Sequence, residues 1–158
     1  MFACGIGYDV HRLVSGRPLI LGGVKIEHPL GLDGHSDADV LCHAIADALL
    51  GAAGQPDIGH LFPNDDEAIR GISSLEILRQ VLAQLRSKDV TILNVDATLV
   101  AEAPKIAPHL TEMKIHIAAA LDLAVDRVGI KATTNETMGF LGRKEGIAAM
   151  AVAAVDRK

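Results

Sequence analysis

Tryptophan is absent from this sequence, and Phe, Tyr and Trp together make up only 3% of its 158 residues. A core built on aromatic rings is therefore excluded, and Ala, Val, Leu and Ile must fill the interior. Cysteine is scarce too: Cys4 and Cys42 stand far apart and outside any CxxC pair. That excludes a disulfide scaffold and suits a reducing, cytoplasmic compartment. No apolar run reaches the ~18 residues that a membrane-spanning helix needs. The N-terminus has no basic stretch followed by an apolar segment and a cleavage site, so no secretory signal is expected. Positive charge is in deficit: the formal net charge is -5 with histidine neutral. A general nucleic-acid binder is thereby excluded. Phosphate recognition in such a chain has to be local, through metals, backbone amides and a few Lys or Arg. Familiar catalytic signatures are missing as well. There is no GxxxxGK(S/T) phosphate loop, no HExxH and no GxSxG elbow, and Gly5-x-Gly7-x-x-Val10 lacks the third glycine of a dinucleotide fingerprint.

What is present is an ordinary globular balance, 49% hydrophobic and 22% charged, at a length that fits one domain over residues 1–158. Residues 2–12 alternate and predict a strand. Leu19–Leu21 and Val24–Ile26 flank Gly22-Gly23, a hairpin signal. Residues 27–36 read as a loop. Ser36 or Asp37 can cap a helix running to about Ala53 with Gly54 as its stop, carrying an apolar stripe from Leu41 to Ala52. Residues 55–72 form a long connection, of a length that is uncommon unless functional. Ser73 with Glu76 predicts a capping box for a helix to about Ser87. Val90–Glu102 reads as a strand, Pro108 opens a third helix, Val128–Thr133 is a strand, residues 134–145 are a loop, and Gly146–Val155 is a further strand. The expected fold is α+β: a two-layer sandwich, a mixed sheet with helices packed on one face.

Asp9-x-His11 is the first candidate site. Strand residues two apart point to one face, so these two side chains converge. His43 lies on the first helix with Asp39 and Asp47 four residues to either side, and either aspartate is a candidate to orient it. One carboxylate and two imidazoles with an open fourth position is a catalytic zinc arrangement. The alternative is a solvated helix face and a polar strand end, and spacing alone does not exclude it.

Gly34-His35-Ser36-Asp37 stands at the mouth of the first helix, where free amides favour anions, or Ser36 is simply the N-cap. Thr133-Thr134-Asn135-Glu136 closes a strand with hydroxyls for phosphate and a carboxylate for Mg²⁺, or is only a turn. Asp57-Ile58-Gly59 and Phe62-Pro63-Asn64-Asp65-Asp66 give the long connection either acceptors for sugar hydroxyls or a plain acidic surface. Lys105 after Ala103-Pro104, and Arg143 after Phe140, are cations for phosphate or ordinary surface residues. His28, His60, His109 and His116 have no companions that suggest ligation.

Together these segments resemble one family from end to end. Gly7-Tyr8-Asp9-Val10-His11, Ser36-Asp37-Ala38-Asp39-Val40-Leu41-Cys42-His43-Ala44, Asp47 to Ala52, Asp57-Ile58-Gly59, Leu61-Phe62-Pro63, Ala103-Pro104-Lys105, Lys131 to Thr134 and Gly142-Arg143 follow in the order found in the 2-C-methyl-D-erythritol 2,4-cyclodiphosphate synthases. The resemblance implies a phosphorus-oxygen lyase of the non-mevalonate isoprenoid route. Its substrate is 4-diphosphocytidyl-2-C-methyl-D-erythritol 2-phosphate, whose 2-phosphate attacks the β-phosphorus and expels CMP.

By likeness, zinc sits on Asp9, His11 and His43, and Glu136 holds Mg²⁺ or Mn²⁺ bridging the diphosphate. His35 and Thr134 stabilise the transition state and Ser36 lies near the erythritol. Asp57, Gly59, Phe62 and Asp66 line the substrate, and Ala101, Ala103, Lys105, Ala107 and Thr133 take the cytidine from a neighbouring subunit. The resemblance also implies a homotrimer with active sites between subunits. Phe140, Arg143 and Glu145 would line a central cavity for an isoprenoid diphosphate. Two positions depart from the pattern: Asn135 stands where many members carry Thr, and Asn64 where an acidic residue is expected.

The chemistry is consistent with these residue types. A phosphate nucleophile is already anionic, so catalysis reduces to positioning and charge neutralisation. Two other functions use the same residues: a metal-dependent phosphoesterase with water as nucleophile, and a non-catalytic trimeric module that binds metal or isoprenoid.

Overall fold

A computed structural model describes residues 1–63 and 70–158. Strand β1 (Phe2–Ser15) is followed by β2 (Leu19–Leu21), β3 (Val24–Ile26) and β4 (Leu30–Leu32). Helices α1 (Val40–Ala52), α2 (Ile58–Leu61) and α3 (Ser74–Ser87) come next. Then follow β5 (Val90–Val100), α4 (Leu110–Leu121), β6 (Val128–Thr133), α5 (Gly139–Gly142) and β7 (Gly146–Arg157). Five strands form one sheet in the order β4-β1-β7-β5-β6, with β5 and β6 parallel and the other pairs antiparallel, while β2 and β3 form the predicted hairpin. Helices α1, α3 and α4 cover one face, which makes the fold the expected α+β two-layer sandwich.

Small side chains set how closely the layers approach. On β1, Gly5 and Gly7 face α1, and a Cβ at Gly7 would stand 1.9 Å from the Ala44 carbonyl oxygen. The facing helix is correspondingly Ala-rich: Ala44, Ala48 and Ala52 are all buried. Helix α1 is buried nearly all round, because β1 and β7 lie on one side of it and α3 on another. The apolar stripe expected from the sequence is therefore wider than drawn and takes in Val40, Cys42, Ala46 and Leu50.

The opposite face of the sheet is bare. Phe2, Ile6, Tyr8, Val10, Met150 and Val152 are exposed, Ile6 at 73%. Ile6 pairs with Val152 and Tyr8 with Met150, so they form one continuous apolar strip across β1 and β7.

Several sequence expectations are corrected: residues 55–72 and 134–145, read as a connection and a loop, contain the short helices α2 and α5. The loop over 27–36 contains β4, which pairs with the end of β1 through Leu13 and Leu32. Ser36 is not the cap of α1: Asp39 is, accepting from the Cys42 amide at 3.2 Å, while Ser36 Oγ accepts from Ala38 N. Ser73 and Glu76 do not form a capping box, since Ser73 makes no side-chain cap bond. The start of α3 is held by Asp37 instead, whose Oδ2 accepts from Ser74 N at 2.9 Å.

Candidate metal centre and substrate cleft

Alternation along β1 puts Asp9 and His11 on the same side as Gly5 and Gly7, under α1, and His43 reaches down from the helix. The three side chains meet. Asp9 Oδ2 lies 2.9 Å from His11 Nε2 and 3.0 Å from His43 Nδ1, and the two ring nitrogens are 3.3 Å apart. One ligand atom from each side chain lies within 4.8 Å of the others, and no other such group occurs among the described residues. A tetrahedral ion with bonds of ~2.0–2.1 Å would need donor atoms ~3.3 Å apart, so the set fits a zinc-like cation. His11 is fixed from behind, with Nδ1 donating to the Asp33 carbonyl at 2.5 Å, which leaves Nε2 its lone pair.

In the metal-free protein burial disfavours charge on Asp9. Hydrogen bonds from His11 and His43 outweigh it, and the carboxyl sits far below its usual range. Burial likewise works against the His11 cation, yet the hydrogen bond and charge of Asp9 raise its pKa above the ordinary imidazole value. A depressed carboxylate contributes stability above about pH 4 that is lost as pH falls. A raised imidazole contributes stability below about pH 6.5 that is lost as pH rises through its folded value. The pair thus supports the metal-free fold most between those limits. Metal binding must expel the His11 proton, so zinc affinity should fall and proton release should grow as pH drops through the raised folded value of His11. Calorimetric zinc titrations in two buffers of different ionisation enthalpy measure this; heats independent of the buffer at the lower pH would contradict it.

The ligands open onto a cavity of about 240 Å³, also lined by His35, Ser36, Gly59 and Phe62 from the sequence candidates, with Gly34 and Ile58 beside them. Arg17 shapes its rim by donating to the Gly34 and Ser36 carbonyls at 2.6 and 2.7 Å. Asp57 does not line this cavity. It caps α2, and hydrogen bonds from His60 lower its pKa. Asp66 and Asn64 lie outside the described residues.

Neither aspartate flanking His43 orients it. Asp39 is spent on the amides of Cys42 and Gly23, and Asp47 on the Ile58 amide that anchors α2. Burial raises the pKa of both carboxyls; at Asp39 the nearby charge of Asp37 adds to it. The groups that face His43 Nε2 are hydroxyls, Ser74 Oγ at 3.0 Å and Ser36 Oγ at 3.2 Å. Sequence reading missed Ser74, which local spacing does not connect with His43.

A second cavity, of about 250 Å³, gathers Ala101, Lys105, Ala107, Thr133 and Thr134, with Ala103 in the same turn between Glu102 and Pro104. Glu102, read from sequence only as the end of a strand, accepts from the Asn135 and Thr137 amides and so shapes the loop carrying Glu136. Thr134 Oγ1 donates to Glu136 Oε1 at 3.3 Å, and Asn135 turns back to the Met138 carbonyl. Thr134 and Glu136 are not among the residues lining the metal cavity of their own chain. Phe140 borders a third cavity with Val10 and Glu145, and Arg143 pairs with Glu145 at 2.7 Å.

A two-layer α+β domain that converges a carboxylate and two imidazoles at the mouth of a cleft defines a class: a small metalloenzyme with a mononuclear ligand set. More particularly, the chain belongs to the YgbB family, which it matches over residues 2–156. It is 59% identical over 152 residues to the 2-C-methyl-D-erythritol 2,4-cyclodiphosphate synthase of Akkermansia muciniphila, covering 96% of this chain and 90% of that protein. With the enzyme of the same name from Synechococcus elongatus the identity is 57% over 99% of this chain and 98% of the relative.

Among solved structures, IspF of Plasmodium falciparum in complex with CDP superposes with a TM-score of 0.86 at 32% identity, over 99% of this chain and 97% of its own. The bifunctional IspDF of Campylobacter jejuni superposes with a TM-score of 0.95 at 40% identity. This chain spans 43% of that longer protein.

Proposed function

We propose that this chain is a metal-dependent cyclodiphosphate synthase, working as a single catalytic domain over residues 1–158 in the cytoplasm. It converts 4-diphosphocytidyl-2-C-methyl-D-erythritol 2-phosphate to 2-C-methyl-D-erythritol 2,4-cyclodiphosphate. An oxygen of the 2-phosphate bonds to the β-phosphorus, the bond between that phosphorus and the oxygen bridging to the α-phosphate breaks, and CMP leaves. The observation that carries the reading is the convergence of Asp9, His11 and His43, donor atoms 2.9–3.3 Å apart, in a chain with this family membership.

Zinc at those three ligands, with Mg²⁺ or Mn²⁺ at Glu136, supplies the positive charge and Lewis acidity that an acidic protein lacks. The chain's own groups position the reactants. His35 and Ser36 sit on the cavity wall beside the ligands, His35 to stabilise the transition state and Ser36 beside the erythritol. Gly59 and Phe62 line the same cavity, and Asp57 takes a sugar hydroxyl. The cavity of Ala101, Ala103, Lys105, Ala107 and Thr133 suits a cytidine, with backbone groups for the base edge and the Lys105 ammonium for phosphate. CDP bound to Plasmodium falciparum IspF supports this assignment. Thr134 donates to the phosphoryl oxygens.

The metal cavity and the cytidine cavity are separate in one chain, so one substrate spans both only if two subunits meet. The bare apolar strip of β1 and β7 supports this. A homotrimer buries it and sets one subunit's Thr134 and Glu136 against the next subunit's metal site. Phe140 and Arg143 then lie toward the axis, where an isoprenoid diphosphate finds an apolar wall and a cation.

Ile6→Asp places a charge in that strip without touching either cavity. The variant should sediment as a monomer, lose at least about 10²-fold in turnover and keep stoichiometric zinc. A fully active monomer would refute the shared site.

Phosphorus NMR of the product tests the reaction itself. A cyclic diphosphate with CMP supports the synthase. Inorganic phosphate or a linear diphosphate points to a hydrolase, and metal uptake without turnover to a binding module.

A further inference from the structure

His43 presents Nδ1 to Asp9 and His11, while Nε2 points into the protein. Ser74, the first residue of α3, is fully buried, and its Oγ lies 3.0 Å from that Nε2. The serine's own proton is committed elsewhere. Oγ donates to Asp37 Oδ1 at 2.5 Å, and Asp37 Oδ2 accepts the Ser74 amide at 2.9 Å, so the carboxylate grips the serine twice. A hydroxyl has one proton to give. Toward His43, Ser74 can therefore only accept, and Nε2 must carry hydrogen. An unprotonated Nε2 would set two lone pairs against each other at 3.0 Å in a buried site. Ser36 Oγ, 3.2 Å from the same nitrogen, already accepts from Ala38 N and can accept again.

We propose that Asp37 and Ser74 form a positioning relay for His43. The Asp37 carboxylate orients the Ser74 hydroxyl, the hydroxyl accepts the hydrogen on His43 Nε2, and the ring is held with Nδ1 facing Asp9 and His11. The proposal deepens the metal reading of Asp9, His11 and His43 and rests on it. Metal-ligating histidines ordinarily lean directly on a carboxylate or carbonyl. Here a serine is interposed, and it is the residue that starts α3. The loop after β4, the start of α3 and the ligand on α1 are thereby tied into one unit. Asp37 and Ser74 do not touch substrate; they act through His43.

Ser74→Ala removes the hydroxyl but leaves the backbone amide on Asp37 Oδ2, so α3 keeps its cap. Two readouts are compared with the wild-type protein. The first is zinc affinity by competition with a chromophoric chelator, where the variant should bind about 10–100-fold more weakly. The second is nitrogen-15 NMR of histidine-labelled, metal-free protein. There the wild-type His43 Nε2–H should be hydrogen-bonded and slow to exchange with solvent, and the variant's should exchange faster.

Unchanged affinity together with an unchanged Nε2–H exchange rate overturns the relay. So does a lowered melting temperature with affinity and exchange unchanged, which would make Ser74 purely structural. His43→Ala is the control that separates the two ideas: if it leaves zinc affinity unaltered, the metal reading fails, while the Nε2–H exchange of the wild-type protein and of Ser74→Ala still tests the relay.

Discussion

Replacement of His43 by alanine is expected to abolish zinc retention and turnover while leaving the fold in place. The ring supplies one of three donor atoms, and Asp9 with His11 alone offers two ligands from one strand. Loss of a direct ligand should weaken zinc by more than the about 10–100-fold that loss of a supporting partner costs. The Lewis acidity withdrawn is worth several kcal/mol, so turnover should fall by about 10³-fold or more.

The fold survives because the cut groups keep other partners. Ser74 still donates to Asp37 and Ser36 still accepts from Ala38 N, so neither hydroxyl is orphaned. A net cost of about 1–3 kcal/mol follows from the hydrogen bonds lost and the space left, and alanine suits α1 better than histidine does. Metal content, circular dichroism and product formation check the three limbs. Wild-type turnover in the variant, or in protein stripped by a chelator, would remove the basis of the metal reading.

The same histidine shows how far sequence reasoning reaches. Asp9 and His11 were legible as a pair because strand alternation is a local rule, and the match of β1, the β2–β3 hairpin, α1 and β6 to their expected spans has the same origin. That His43 joins them was not legible from spacing; it depends on how closely α1 lies on β1, and the sequence pointed there through the resemblance.

The partners of His43 were misassigned for a related reason. Asp39 and Asp47 are its neighbours on one helix, but each is consumed by a nearby backbone amide. The true neighbour, Ser74, arrives from another helix. The cap of α3 repeats the pattern: Ser73 and Glu76 satisfy the local template, and Asp37, far upstream, takes the position. Strand β4 escaped because three residues are too few for a period to show, and its pairing is supplied by β1. Local rules thus recovered the long elements; they missed the short β4, α2 and α5 and the places where separate elements compete for the same hydrogen bonds.

Gly7→Ala should be the most damaging single-methyl change on β1, and it should cost metal binding as well as stability. The new Cβ would lie 1.9 Å from the Ala44 carbonyl oxygen and 2.8 Å from Ala48 N. Both belong to helix backbone, so no rotamer change relieves the clash, and α1 must lift away from the sheet. Overpacking of this kind costs about 3 kcal/mol or more. His43 precedes Ala44 on the same turn, so a lift on the order of 1 Å carries Nδ1 away from Asp9 and His11, whereas metal–ligand distances tolerate about 0.2 Å.

Two other glycines calibrate the effect. A Cβ at Gly51, on α1 itself, meets nothing closer than 3.9 Å, so Gly51→Ala should be neutral or stabilising by up to about 1 kcal/mol through helix propensity. Gly16 has open space but a φ of +81°, so Gly16→Ala should cost only about 1 kcal/mol of backbone strain. Urea midpoints and zinc competition on the three variants should therefore rank Gly51→Ala highest and Gly7→Ala lowest. A Gly7→Ala protein with wild-type midpoint and wild-type zinc affinity would show that close helix–strand contact is not what brings the ligands together.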